Sequence, residues 1–287
     1  MKKIKSTSRF INSWKKLKKR KTAYISLLIL IVLIFVAVFG DILYPVDSFE
    51  TDTANRLQPP SLQHIFGTDN LGRDLLARVI YGSKLSLSIS IVSVIFALIM
   101  GTVLGLSAGY AGGKVDAVLS LVIDAICAFP TILIGLLLAT AFGSGTLNIM
   151  IAIGIANTPY FARLVRSMAS TLREREYVES AVTAGLNHFE ILTRYIIPNM
   201  SSVLIVQISL SAASAIITES ALSFMGVGVQ PPAASWGALL RDGYDFISRA
   251  PWLSVFPGIA IMVTVIALNF LGDGLRDALD VKIRIDG

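Results

Sequence analysis

Two acids, Asp124 and Glu219, sit inside apolar stretches of a 287-residue chain. A lone carboxylate in hydrocarbon costs several kcal/mol less when it turns to a polar interior, so both should face inward. Each admits two readings: a substrate path or inter-helix pair, and a local structural contact, with Glu219 capping the turn from Ser220 to Gly226. A proton relay would need basic partners, and no His, Lys or Arg lies in a facing span. The two histidines, His64 and His188, fall on opposite sides of the membrane in the topology below and cannot share a metal. His188-Phe-Glu190 lacks a third ligand nearby. Gly143-Ser144-Gly145 has no base beside it and reads as a turn. No Gly-x4-Gly-Lys-Ser/Thr loop is present, so any ATP must be hydrolysed by another chain. An enzyme has no nucleophile–base pair or metal cluster to rest on.

The elements that hold these residues follow from composition. Hydrophobic residues make up 54% of the chain and charged ones 15%, with a mean hydropathy of +0.71. Residues 85–113, 125–162, 195–218 and 250–272 contain no charge at all. About 20 apolar residues suffice for one helical crossing. The expected fold is an all-α polytopic membrane protein with spans 22–43, 85–108, 116–142, 146–163, 201–224 and 252–273. A soluble enzyme, a nucleic-acid binder and a disulfide-built domain are disfavoured, and the single Cys127 excludes an intramolecular disulfide. Gly101, Gly105 and Gly109, four residues apart, mark a face suited to close helix packing.

Ten Lys or Arg residues within 1–21, with no acid among them, exceed the whole net charge of +6. Such a cluster before a hydrophobic helix stays in the cytoplasm and can touch anionic lipid. With the N-terminus inside, 19 Lys and Arg fall inside and 6 outside, which places both termini in the cytoplasm. The apolar stretch 22–40 exceeds a signal-peptide core and reads as an uncleaved helix. The division expected is a basic tail 1–21, a first helix 22–43, an external segment 44–84, a five-helix core 85–273 and a C-tail 274–287.

The inside loop 163–200 reads as structured. Thr171-Leu-Arg-Glu174 has the pattern of a capping box, and Gly185 suits the position that closes a helix. Asn187 can start a second helix, and Pro198 ends or kinks it. Small residues at the turn (Ser180, Ala181, Ala184, Gly185) would let another protein approach. An amphipathic pair lying on the bilayer surface is the alternative, since Arg163, Arg166, Arg173 and Arg175 would suit it too.

Glu179-Ser180-Ala181-x3-Gly185-x9-Tyr195-x-Ile197-Pro198 resembles the EAA loop of membrane subunits of ATP-driven importers. Ser180, Tyr195 and Ile197 depart from its general form. Arg194-Tyr-Ile-Ile-Pro-Asn199 is close to the version in the peptide and nickel importer branch. His64-Ile-Phe-Gly67-Thr-Asp69-x2-Gly72-Arg73-Asp74 resembles the segment after the first helix of that branch's C-type permease. The block from Glu219 to Gly228, with Pro231-Pro232 and Ser235-Trp236-Gly237, resembles its late signature.

The resemblance implies a type I ABC importer permease fold and a transport subunit for oligopeptides, dipeptides, nickel or metal chelates. It implies that Glu179, Ser180, Ala181, Gly185, Leu186 and Pro198 couple the chain to an ATPase. Asp124 and Glu219 are the candidates for the substrate path. Pro231, Pro232 and Trp236 are the candidates for docking a solute-binding protein. The partners implied are a homologous second permease, two ATPase subunits carrying ATP and Mg, an external binding protein and membrane lipid. No nucleic acid, resident metal or cofactor is expected in this chain. A secondary transporter driven by an ion gradient is the rival, but it would call for an internal repeat, and none is evident between residues 22–142 and 146–273.

Overall fold

The structure, a computed structural model, describes residues 14, 16–143 and 145–279. The basic residues before Trp14, and Lys15, lie outside them, as do Ser144 and residues 280–287. Among the described residues the chain is helical, with one isolated antiparallel bridge between Thr68 and Asp74 and no strand. Backbone groups in hydrocarbon must be satisfied within the segment, which helices do.

The helices are α1 (Lys21–Leu43), α2 (Leu75–Ala111), α3 (Gly113–Cys127), α4 (Thr131–Phe142), α5 (Thr146–Arg173), α6 (Glu176–Thr183), α7 (His188–Ile191), α8 (Ile197–Phe224), α9 (Trp236–Tyr244) and α10 (Trp252–Leu279). α1, α2, α10 and the run His188–Phe224 are each long and apolar enough to cross a membrane. α3 and α4 together make a fifth such unit, bent by 93°. A continuous helix over 116–142 therefore does not form. Pro130 disfavours helical geometry at Phe129 and itself takes extended backbone (ψ 132°), so the chain turns there. α5 is more polar than those five units, with Asn157, Thr158 and Arg163 along it, and it continues ten residues past the expected end at 163.

The core lies between α2 and α5. Gly101, Gly105 and Gly109 form the contact face on α2, where a Cβ at Gly105 would lie 2.6 Å from the Ala162 carbonyl and 2.7 Å from the Val165 Cβ. Small residues let the two backbones meet, and Phe161, Val165 and Ala169 fill the space between the glycines. α8 closes this core through Met200, Leu204, Ala215 and Leu222.

Contacts sort the connections into two ends. At one end lie residues 44–74, the start of α2, α9 and the start of α10, with Trp252 Nε1–H donating to the Thr68 carbonyl (3.4 Å). At the other lie the end of α2, the loop through α6 and α7, and the end of α10. Residues just before α1 also pack there: Leu17 is buried against Ala278, and Arg20 pairs with Asp277 and donates to the Asp273 carbonyl.

Candidate functional site

The first end of interest is built around α6. Thr171 does not open this helix. It stays inside α5, its hydroxyl donating to the Ser167 carbonyl (3.0 Å), because the apolar face of α5 continues through Ala169 and Leu172. Arg175 then takes extended backbone (φ −84°, ψ 138°) and α6 starts at Glu176. Glu176 and Glu179 place negative charge in its first turn, where the exposed amides favour it.

Gly185 closes α6 with φ +80°, a conformation that costs a side-chain-bearing residue about 1–2 kcal/mol. The amide of Leu186 donates to the Ala181 carbonyl (3.2 Å) and that of Gly185 to the Val182 carbonyl (3.0 Å). This pair of bonds is the Schellman closure. Asn187 caps the next helix, its side chain accepting from the Glu190 amide (2.8 Å).

One face of α6 is anchored. Val178 (1% exposed) and Ala181 (5%) are buried in the main core, with Leu186 packed against it. The other face is open: Glu179, Ser180, Val182, Thr183 and Gly185 are exposed, and nothing lies within 4 Å of a Cβ built on Gly185. Ser180 and Thr183 satisfy their hydroxyls on the Glu176 and Glu179 carbonyls, so neither needs an outside partner. Arg173 donates to the Tyr110 carbonyl (2.9 Å), and the Tyr110 hydroxyl meets His188 Nδ1 (2.9 Å), joining the loop to the end of α2. Between them opens a groove of about 1160 Å³ edged by Tyr110, Arg173, Glu179, Thr183 and His188.

Pro198 does not end this helical run, which continues from His188 to Phe224. Residues Leu192–Ile196 form a π-helical turn and Ile197 donates to the Leu192 carbonyl. The wider turn accommodates a proline that has no amide proton and whose ring would crowd the carbonyl four residues back.

Asp124 is exposed and paired with Arg163 on α5 (2.7 Å). One step closer to the loop, Arg166 grips Asp116 through both nitrogens, with Nη2 to Oδ2 at 2.8 Å. Basic partners therefore do face α3. The helix runs on from 163 to Arg173, so Arg163 and Arg166 stand on α5 rather than in a loop.

Glu219 is at the opposite end and is 0% exposed. Ser86 of α2 donates to its Oε2 (3.2 Å) and Ser223 of α8 to its Oε1 (2.7 Å). Trp236 is also enclosed, at 1% exposure. Its indole N–H donates to the Val79 carbonyl (3.0 Å) and its amide to Ser86 (3.1 Å). A partner protein cannot reach that ring. Pro231 and Pro232, joined by a cis peptide bond, are exposed on the same loop.

The segment before α2 carries an ion network that residue types alone did not single out. Asp69 accepts from Arg73 (2.7 Å) and lies 3.4 Å from Arg78, which donates to the Ser48 carbonyl (3.2 Å) and approaches Asp242 of α9 (3.9 Å). Asp74 caps α2 by accepting from the Ala77 amide (2.9 Å), while its other oxygen meets Tyr44 (3.2 Å) and His64 (3.0 Å). Burial pushes the Asp242 carboxyl above the ordinary range, against the pull of Arg78. The spacing Asp69-x3-Arg73 was the available signal, since it puts an ion pair one turn apart.

Residues 101–285 match the family described as binding-protein-dependent transport system inner membrane component. Residues 8–60 match the N-terminal transmembrane domain of oligopeptide transport permease C. The chain is 43% identical over 272 residues to the dipeptide transport system permease protein DppC of Alkalihalophilus pseudofirmus, covering 95% of this chain and 90% of that one. It is 39% identical to the glutathione transport system permease protein GsiD of Pectobacterium atrosepticum, covering 94% and 90%. Among solved structures, the inward-facing MetNI methionine ABC transporter shares the fold at a TM-score of 0.57 and 16% identity, covering 72% of this chain and 98% of that one.

The helical body and these matches define a transport subunit of the inner membrane, not an enzyme. The chain belongs to the family of binding-protein-dependent transport system inner membrane components and is an ABC importer permease. Nothing in this membership supports an ion-gradient mechanism.

Proposed function

We propose that the chain is the C-type permease of a peptide importer and that α6 with its closing turn is where a separate ATPase grips it. The observation that carries this reading is the two-faced build of α6: Val178 and Ala181 locked in the core, Glu179, Ser180 and Gly185 presented outward. A body held on one face moves with the helices it is packed on, and such motion can alternate access to a path. Leu186 and Pro198 set the far boundary of this unit.

In this reading the chain crosses the membrane six times, counting α3–α4 as one unit and α5 as another, with both termini in the cytoplasm. A homologous permease and two ATPase subunits, which hold ATP and Mg, complete the assembly. An external solute-binding protein delivers the cargo, and the exposed Pro231-Pro232 turn belongs to the surface it meets. Asp124 with Arg163 is the polar element assigned to the substrate path. The relatives' names, dipeptide, di/tripeptide and glutathione, favour short peptides over nickel or metal chelates as cargo.

Purification of the tagged chain from gently solubilised membranes tests the assembly. The expected result is stoichiometric recovery of an ATPase, a second permease and a binding protein. That binding protein should be displaced from a labelled dipeptide by unlabelled peptide and not by nickel. A chain that purifies alone and moves solute in proteoliposomes lacking ATP would overturn the reading.

A further inference from the structure

Glu219 belongs to neither the α6 site nor an ion pair. Its carboxyl is sealed from solvent, and among the described residues no Lys, Arg or His nitrogen comes within 4.0 Å of it. Every polar side chain against it is a serine: Ser86, Ser220, Ser223 and Ser235. An ionised carboxylate without a counter-charge is costly in such a place, and hydroxyl groups alone do not supply one.

The serines are already committed. Ser86 accepts the Trp236 amide (3.1 Å) and donates to Oε2. Ser223 accepts the Val229 amide (3.2 Å) and the Ser235 hydroxyl (3.3 Å) and donates to Oε1. Ser235 in turn caps α9 by accepting the Ala238 amide (3.3 Å). The exception is Ser220, whose buried Oγ lies beside the Glu219 carboxyl without a well-formed hydrogen bond to any group. A hydroxyl with free lone pairs beside a carboxyl is the acceptor that a carboxylic acid proton needs.

We propose that Glu219 is held as the uncharged acid and positions the loop 223–236, tying it to α2 and α8. One side chain thus reaches, through Ser86, Ser223 and Ser235, the amides of Val229, Trp236 and Ala238. The neutral state lets the carboxyl donate to Ser220 while both oxygens keep accepting. No residue in the network touches the α6 site, so the inference stands whether or not that site binds an ATPase.

Infrared difference spectroscopy of the purified full chain in lipid reads the protonation directly. Wild type minus Glu219→Gln should leave the carbonyl band of one protonated carboxylic acid, with no matching carboxylate band. Limited proteolysis at residues 225–235 reads the positioning. Glu219→Gln, which keeps the shape and a donor–acceptor pair, should cut within about twofold of the wild-type rate, whereas Glu219→Ala should cut about tenfold faster, as expected when several buried groups lose a partner. A carboxylate band in the difference spectrum would overturn the proposal. So would equal damage from both substitutions, or wild-type protection that depends on sodium, which would mean an ionised Glu219 holding a cation.

Discussion

The two ends of the permease are built on opposite plans. At the end holding Glu219, Arg78 and Trp236, polar groups are turned inward and most are paired with one another, the Ser220 hydroxyl and Arg78 Nε being the exceptions, and tight backbone contacts leave no room for an added side chain. A Cβ on Gly237, for example, would lie 2.5 Å from the Ser220 carbonyl. At the α6 end the polar groups point outward and the turn at Gly185 has open space around it. Sealing fixes a shape; presentation leaves one free for a partner. The same chain thus encloses its polar groups at one end and leaves a face of α6 exposed at the other.

This contrast is broken most severely at Arg78. Its side chain is 3% exposed and serves Asp69, Asp242 and the Ser48 carbonyl at once. Arg78→Ala leaves the buried Asp69 with Arg73 as its one remaining cation and should cost about 3 kcal/mol, the lower end of the usual penalty for removing one member of a buried pair. Thermal unfolding of the purified chain in detergent measures it, and a loss below about 1 kcal/mol would mean the Glu219 end is not sealed as described.

The α6 end should respond differently. Gly185→Trp starts from a Cβ with nothing within 4 Å, and its positive φ costs about 1–2 kcal/mol. Membrane insertion and folding should persist while transport, and stimulation of ATP hydrolysis by cargo, fall at least about tenfold, a loss worth some 1.4 kcal/mol. Normal uptake by this variant would remove the coupling role from α6.

The smallest effect is a pH dependence at Asp52. The Asn55 side chain first, and the Ala54 amide after it, hold its carboxyl below the ordinary range. A folded-state value depressed below the unfolded one gives stabilisation that is present above the unfolded value and is lost as pH falls through the folded one. Hydrogen exchange of the Thr53–Asn55 turn should therefore be slower in wild type than in Asp52→Ala at neutral pH. The two should converge in acid, below the usual carboxylate range.

Much of this architecture was legible in the residues. The first span, expected over 22–43, is α1 at Lys21–Leu43, because an uninterrupted apolar run has one way to satisfy its backbone. The glycine face of α2 and the closing role of Gly185 were legible for a similar reason: each depends on geometry that only glycine supplies cheaply. Tertiary context hid the rest. Thr171 has the local pattern of a helix start, yet the buried face of α5 carries the helix past it. Trp236 looks like an interface residue until Val79 and Ser86 are seen to claim both of its N–H groups. The break at Ala128–Pro130 was marked by the proline, but the apolar run on both sides outweighed it in a reading by composition.

The π-helical turn before Pro198 keeps His188–Phe224 a single helix of 37 residues. At 1.5 Å per residue such a rod is about 55 Å long. Moving as one body it would be a lever: a tilt of about one degree at the His188 end would carry the Phe224 end sideways by about 1 Å. The far end of that span holds Glu219 and Ser223, so a rigid tilt at the α6 end would be carried, amplified by length alone, to the loop that follows Phe224.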